Sequence, residues 1–272
     1  MSAAPLLEAV GVSKRYGDFV ALDGVSLTID AGQFVSIVGP NGAGKTTLVN
    51  VLTGLLRPNG GTVRFQGRDI AGIGPVRLAA LGMARSFQLV NIFPGLTVAE
   101  TLAVAVVSQL GRGGRLWASL ARDTEVQARA AAVADLFGLA PKLGLAARAL
   151  SQGDKKLLDV ASAFALAPQI ILLDEPTSGV STRDKTAIME TLVTAARQTG
   201  IKAIIQVEHD MDIVFAYSDR IIALHQGRVL ADATPDGIRQ DAEVVATVIG
   251  RVPETPGRGG PATVSSTRPA SA

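Results

Sequence analysis

Gly39-Pro40-Asn41-Gly42-Ala43-Gly44-Lys45-Thr46-Thr47 follows the apolar run Phe34–Val38 and leads into Leu48, Val49, Leu52 and Leu55 at helical spacing. Two glycines enclosing four residues, then lysine and a hydroxyl, form the pattern of a loop that cradles phosphate. Glycine permits the curled backbone that turns consecutive N–H groups inward on phosphate oxygens. The helix start adds the positive end of its dipole. Lys45 is predicted to reach the β- and γ-phosphates, and the Thr46 hydroxyl to meet Mg2+, a hard cation that takes oxygen ligands. The expected nucleotide-binding set is therefore Gly39, Pro40, Asn41, Gly42, Ala43, Gly44, Lys45, Thr46 and Thr47. With a strand before it and a helix over Thr46–Leu55 after it, the motif reads as more than a glycine-rich turn.

Downstream, the apolar run Ile170–Leu173 ends in Asp174 and Glu175. Ligands in open α/β sheets sit at the carboxyl ends of parallel strands. Asp174 is expected to hold Mg2+, directly or through water, and Glu175 to polarise the attacking water. Strands are expected at Leu6–Val12, Val20–Ile29, Phe34–Val38, Thr62–Phe65 and Ala203–Val207, and a helix at Arg183–Gln198. Arg220–Leu224 and Arg228–Ala231 flank Gln226-Gly227 as a hairpin. From Thr97 to about Leu150 the pattern turns alanine-rich and helical, with glycine breaks at Gly111–Gly114 and Gly138. Strand, helix, strand in sequence indicates a doubly wound α/β core, here with a helical insertion.

Composition sets bounds. The 272 residues are 47% hydrophobic and 18% charged with a net charge of +2, so a sizeable core is available and no basic surplus argues for nucleic acid. The absence of cysteine excludes disulfides and thiolate metal sites. Met1–Pro5 lacks the basic and apolar regions of a secretory leader. Mean hydropathy is +0.32, yet no apolar run approaches the roughly 18 residues that span a bilayer. Leu102–Val107 and Ala161–Ala167 read as buried helix. Pro, Gly, Ser and Thr dominate from Pro253, which predicts a disordered tail.

Five further segments carry a resemblance to the nucleotide-binding subunits of ATP-binding cassette (ABC) transporters, over about Leu6 to Gly250. Tyr16 resembles the aromatic that stacks on adenine. Gln88, in Arg85-Ser86-Phe87-Gln88, matches a glutamine that touches Mg2+ or its water. Leu150-Ser151-Gln152-Gly153-Asp154 resembles the signature Leu-Ser-Gly-Gly-Gln, with departures at Gln152 and Asp154. Ser151 is also a good N-cap for a helix running to about Ala167 and stopped by Pro168. Ser178-Gly179-Val180-Ser181 stands where the family has a loop that crosses between subunits and ends in aspartate; Ser181 replaces that carboxylate. His209 matches the switch histidine that contacts the γ-phosphate.

The resemblance implies a P-loop NTPase cassette over 1–251, with an antiparallel β subdomain and a helical subdomain at about 96–152, followed by a tail at 252–272. It implies ATP hydrolysis with Mg2+: Glu175, His209, Gln88 and Lys45 catalytic, and Thr46, Gln88 and Asp174 at the metal. Tyr16, Ser151, Gln152 and Gly153 join the nucleotide set, the last three facing ATP held by a second subunit. The implied partners are a second ATPase subunit (a copy or a relative), transmembrane permeases and, indirectly, a solute-binding protein. The implied location is the cytoplasmic membrane face, and nucleic acid is not an expected partner.

Ala84-Arg-Ser-Phe-Gln, Ile92-Phe-Pro-Gly-Leu-Thr-Val, Val207-Glu-His-Asp-Met-Asp-Ile-Val and Ile238-Arg-Gln-Asp narrow the resemblance to ATPases of branched-chain amino-acid uptake, particularly their longer subunit. Leu110–Asp123, with Trp117, is similar to that subunit's insertion. Urea importers share these features. A soluble, non-transport ABC ATPase and a small-molecule P-loop kinase are the alternatives from other classes.

Overall fold

The computed structural model describes residues 4–86, 93–113 and 123–250. Gln88, the middle of the Leu110–Asp123 insertion and the tail from residue 251 lie outside the described residues.

Two sheets form the frame. The strands β1 (Leu7–Tyr16), β2 (Phe19–Ile29), β4 (Gly60–Phe65) and β5 (Arg68–Asp69) make an antiparallel sheet in the order β2-β1-β4-β5. A second sheet runs β10-β9-β3-β8-β7-β6, from β3 (Phe34–Val38), β6 (Met83–Arg85), β7 (Ile170–Asp174), β8 (Ala203–Val207), β9 (Arg220–His225) and β10 (Arg228–Ala233). Its pairings are parallel except for the hairpin β9–β10. All residues of β3, β7 and β8 are buried, as expected where both faces of a parallel sheet are covered. Alternation along each strand divides the core. Ile171, Leu173 and Ile204 face a helical cluster, whereas Ile170, Leu172, Ile205, Val35 and Ile37 face the antiparallel sheet.

The helix after the glycine loop, α1, spans Lys45–Leu52, three residues short of the expected end. Gly54 adopts φ 61°, a left-handed conformation that ends helices, and Leu55, expected on the buried face, is exposed at 52%. The short helix α2 (Pro75–Ala80) precedes β6. Between β6 and β7 come α3 (Val98–Gln109), α4 (Thr124–Leu136) and α5 (Gln152–Phe164). A Thr97–Glu100 capping box starts α3. Phe137 and Phe164 meet edge to face at 5.0 Å and tie the end of α4 to that of α5. Arg112 bonds Asp123 (3.0 Å) and Glu125 (2.5 Å), which joins the two ends of the insertion. Helix α5 stops at Phe164 rather than Ala167. Ala167 lies at φ 48°, a left-handed value that a helix does not contain. Helix α6 (Thr182–Thr199) follows β7, and α7 (Met211–Tyr217) follows β8. The chain then runs through α8 (Pro235–Gln240), α9 (Ala242–Val244) and a π-helical turn at Val245–Ile249.

One register matters most for the site. Val207 of β8 stands opposite Ile37 of β3 on one side and Asp174 of β7 on the other. The carboxyl ends of these three neighbours are therefore level. The glycine loop, Glu175 and Glu208-His209 leave the sheet side by side.

Candidate nucleotide site

The loop after β3 needs its glycines for space as well as for conformation. A Cβ on Gly39 would lie 2.3 Å from the Leu224 carbonyl oxygen, and one on Gly44, at φ 100°, would lie 2.5 Å from that of Ala21. No side chain fits at such distances. Lys45 opens α1 and folds back across the loop: Nζ donates to the carbonyls of Gly39 (2.6 Å) and Pro40 (3.0 Å). Burial lowers the Lys45 pKa, opposed by the charges of Glu175 and then Asp174. Burial outweighs the two acids, so the group stays below its ordinary value. Thr46 is exposed and Thr47 half-buried at the helix start.

A cavity of about 430 Å3 opens over these strand ends, lined by Gly39, Pro40, Asn41 and Lys45 on one side and Glu175, Glu208 and His209 on the other. Glu175 is partly exposed, and its carboxylate Oε1 lies 3.8 Å from His209 Nδ1. Its backbone sits at φ 50°, a left-handed region that non-glycine residues occupy uncommonly. His209 is exposed, and its backbone N–H donates to Glu208 Oε2 at 2.9 Å.

Asp174 is buried at the end of β7. Its Oδ2 accepts a bond from Arg85 Nη2 at 2.8 Å, and Arg85 Nη1 donates to Asn50 Oδ1 at 2.6 Å. One guanidinium therefore ties β6, β7 and α1 together. Nothing in the sequence around Arg85 marks it for this role.

Glu208 was likewise passed over on the way to His209. It is 1% exposed, and it accepts a bond from the Thr177 hydroxyl as well as from His209 N. A carboxylate immediately after an apolar strand was the available signal, the same one that marked Asp174-Glu175.

The structure thus brings Lys45, Glu175 and His209 to one cavity with Gly39–Asn41. Tyr16 and the start of α5 lie elsewhere. Tyr16 ends β1, half exposed, with Lys14 Nζ 5.6 Å from its ring centre. Ser151 caps α5: its Oγ accepts from Asp154 N at 3.1 Å and donates to Asp154 Oδ2 at 2.7 Å. Asp154 also takes a bond from Lys142 at 2.6 Å. Burial alone would raise the Asp154 carboxyl, but the Lys142 and Ser151 bonds outweigh it and hold the group below its usual pKa. Neither Tyr16 nor Ser151, Gln152 and Gly153 is among the residues lining the cavity. Ser181 serves as the N-cap of α6, accepting from Asp184 N at 3.3 Å.

Comparisons with known proteins identify the family. The ABC transporter family pattern matches residues 22–178. The chain is 37% identical over 251 residues to the high-affinity branched-chain amino acid transport ATP-binding protein LivG of Salmonella typhimurium, covering 90% of this chain and 98% of the relative. It is 35% identical over the same length to BraF of Pseudomonas aeruginosa, a protein of the same description, again covering 90% and 98%. Among solved structures, the ADP conformation of an ATP-binding cassette of an ABC transporter superposes with a TM-score of 0.79 at 29% identity, covering 90% of this chain and 98% of that one. A nucleotide-free ATP-binding cassette gives a TM-score of 0.77 at 28% identity, covering 89% and 98%. The chain belongs to the ABC transporter family, as one of its ATP-binding, ATP-hydrolysing subunits.

Proposed function

We propose that this subunit drives a membrane importer for branched-chain amino acids or a related small polar solute. The observation that carries the catalytic part is the convergence of Lys45, Glu175 and His209 on one cavity at three adjacent strand ends. The loop N–H groups and Lys45 bind the phosphates, with Lys45 leaving the Gly39 and Pro40 carbonyls to do so. Glu175 orients a water and takes its proton as the water oxygen attacks the γ-phosphorus. The bond to the bridging oxygen breaks, releasing ADP and phosphate. His209 donates to the γ-phosphate and keeps the Glu175 carboxylate aimed.

Thr46 and Asp174, with Gln88, would hold Mg2+. Hydroxyl, carboxylate and amide oxygens suit this ion, which takes few protein ligands and fills its shell from phosphates and water. When bound, the ion neutralises phosphate charge. Among the described residues no cluster of three His, Cys, Asp or Glu could hold a metal ion by itself.

Two subunits pack head to tail, so that the α5 start at Ser151-Gln152-Gly153 closes on ATP held by the partner and Tyr16 stacks on adenine. The exposure of that helix start, away from the chain's own cavity, supports this arrangement. The helices between residues 96 and 152 form the subdomain that meets the permease. No helix among the described residues is long and apolar enough to cross a membrane. In this reading the subunit attaches at the cytoplasmic face through that permease. The names of the relatives support the solute class.

Purified Glu175→Gln with MgATP tests the mechanism: it should trap nucleotide and dimerise, and a variant that stays monomeric with ATP unbound sinks the reading. Uptake of labelled leucine against labelled urea, in membranes carrying the copurified permease, tests the solute.

A further inference from the structure

Lys156 lies one turn into α5, behind the Ser151 cap, and is only 5% exposed. A buried ammonium needs partners, and this one reaches the back of the hydrolysis site. Its Nζ donates to the main-chain carbonyl of Glu175 at 3.1 Å. Burial pushes the ammonium pKa down, and the fields of Asp159, Glu175, Glu208 and Asp174 oppose that.

Glu175 is the residue that most needs holding. It is not glycine, yet its φ is 50°, and such backbone persists where its surroundings over-determine it. Three bonds do so: Glu175 N donates to Val207 O at 2.9 Å, and Glu175 O accepts from Ser178 N at 3.1 Å and from Lys156. The first two belong to the backbone and would survive most substitutions. The third is the contribution of one side chain. Rotation about the Glu175 backbone would swing its carboxylate away from His209 Nδ1, now 3.8 Å off.

We propose that Lys156 is a positioning residue for hydrolysis, its bond to the Glu175 carbonyl holding the backbone turn that aims the Glu175 carboxylate at the attacking water. The inference rests on the reading of Glu175 as the group that activates water.

The test uses the full chain. Lys156→Met keeps the length of the side chain and removes charge and donor; Lys156→Arg keeps both. Lys156→Met should lower kcat for ATP about 10- to 100-fold, the scale of a small misplacement of a reacting group. KM for ATP should stay near the parent value, and Lys156→Arg should recover most of the rate. Loss of a buried ammonium among acids lowers the melting temperature, so the rate is read well below the midpoint, where a role confined to packing would leave kcat near the parent value. In Glu175→Gln, adding Lys156→Met should have little further effect on the residual turnover. If Lys156→Met does not fold, Lys156→Gln takes its place with the same expectations. The proposal is overturned by a folded Lys156→Met or Lys156→Gln that turns over at the parent rate, or by a loss that is undiminished in Glu175→Gln. Should Glu175→Gln alone turn over like the parent, the underlying reading of Glu175 fails, and that outcome is read without any Lys156 variant.

Discussion

The two halves of the proposed site are built differently. At the ends of β3, β7 and β8, Lys45, Glu175 and His209 come from distant parts of the chain to share one cavity, and charges in and beside it are held within the chain. Asp174 pairs with Arg85, and Lys45 bonds its own loop. At the start of α5, by contrast, Ser151 and Gln152 are exposed, and the polar contacts stay local: Ser151 with Asp154, Asp154 with Lys142. A sheet edge can assemble a site within one chain because adjacent strands place their ends together. A single helix start offers N–H groups and a dipole, and needs another surface to close on.

Substitutions can break or sharpen this contrast. The largest effect is expected from Glu175→Gln, which should reduce phosphate release about 10^2- to 10^4-fold, the usual worth of a positioned general base. Nucleotide affinity should survive; loss of binding with the rate would show that Glu175 holds ATP rather than water.

Arg85→Met comes next. It strands Asp174, whose side chain is 7% exposed, and breaking one partner out of a buried pair destabilises by about 3 kcal/mol. Urea denaturation should register this, and a midpoint equal to the parent's would mean the Asp174 environment relaxes without it.

Ser151→Ala should cost about 1 kcal/mol through the lost cap. ATP affinity of the monomer should not change, whereas ATP-driven dimerisation should weaken. Sedimentation with and without nucleotide checks both, and a loss of monomer affinity would erase the distinction between the two halves.

The smallest effect concerns pH. The Asp154 carboxyl is held below its usual pKa by Lys142 and Ser151 in spite of its burial. A depressed acid contributes stability above its unfolded pKa of about 3.9. That contribution is lost as pH falls through the lower folded value. Lys142→Met should therefore reduce stability at neutral pH by about 0.5 kcal/mol, given the partial exposure of the pair, and less below about pH 4. Thermal melts at the two pH values decide it.

Much of this was legible beforehand. Phe34–Val38 and Ala203–Val207 match β3 and β8 residue for residue, because a short apolar run bounded by turn residues has few other uses. The glycine loop and Asp174-Glu175 each carry a local signal, and His209 is reached through the family resemblance. Glu208 carries the same signal as Asp174-Glu175, an acid directly after an apolar strand. Arg85 and Lys156 carry none: their partners Asp174 and Glu175 lie elsewhere in the chain, and a charge is recognisable as a pair only when both members are in view. The ends of α1 and α5 were overestimated because apolar spacing continues past the points where Gly54 and Ala167 turn the backbone left-handed.

The sequence by itself determined the chemistry: a loop whose glycines admit phosphate, a lysine and hydroxyl after it, two acids at the end of a buried strand. These are properties of neighbouring residues and survive in one dimension. Only the tertiary structure decided that β8 lies between β3 and β7, which puts His209 beside Glu175 and Lys45 across from both. Strand order follows from how helices and sheets cover one another's apolar faces. That is a balance summed over the whole core, and no stretch of residues carries it.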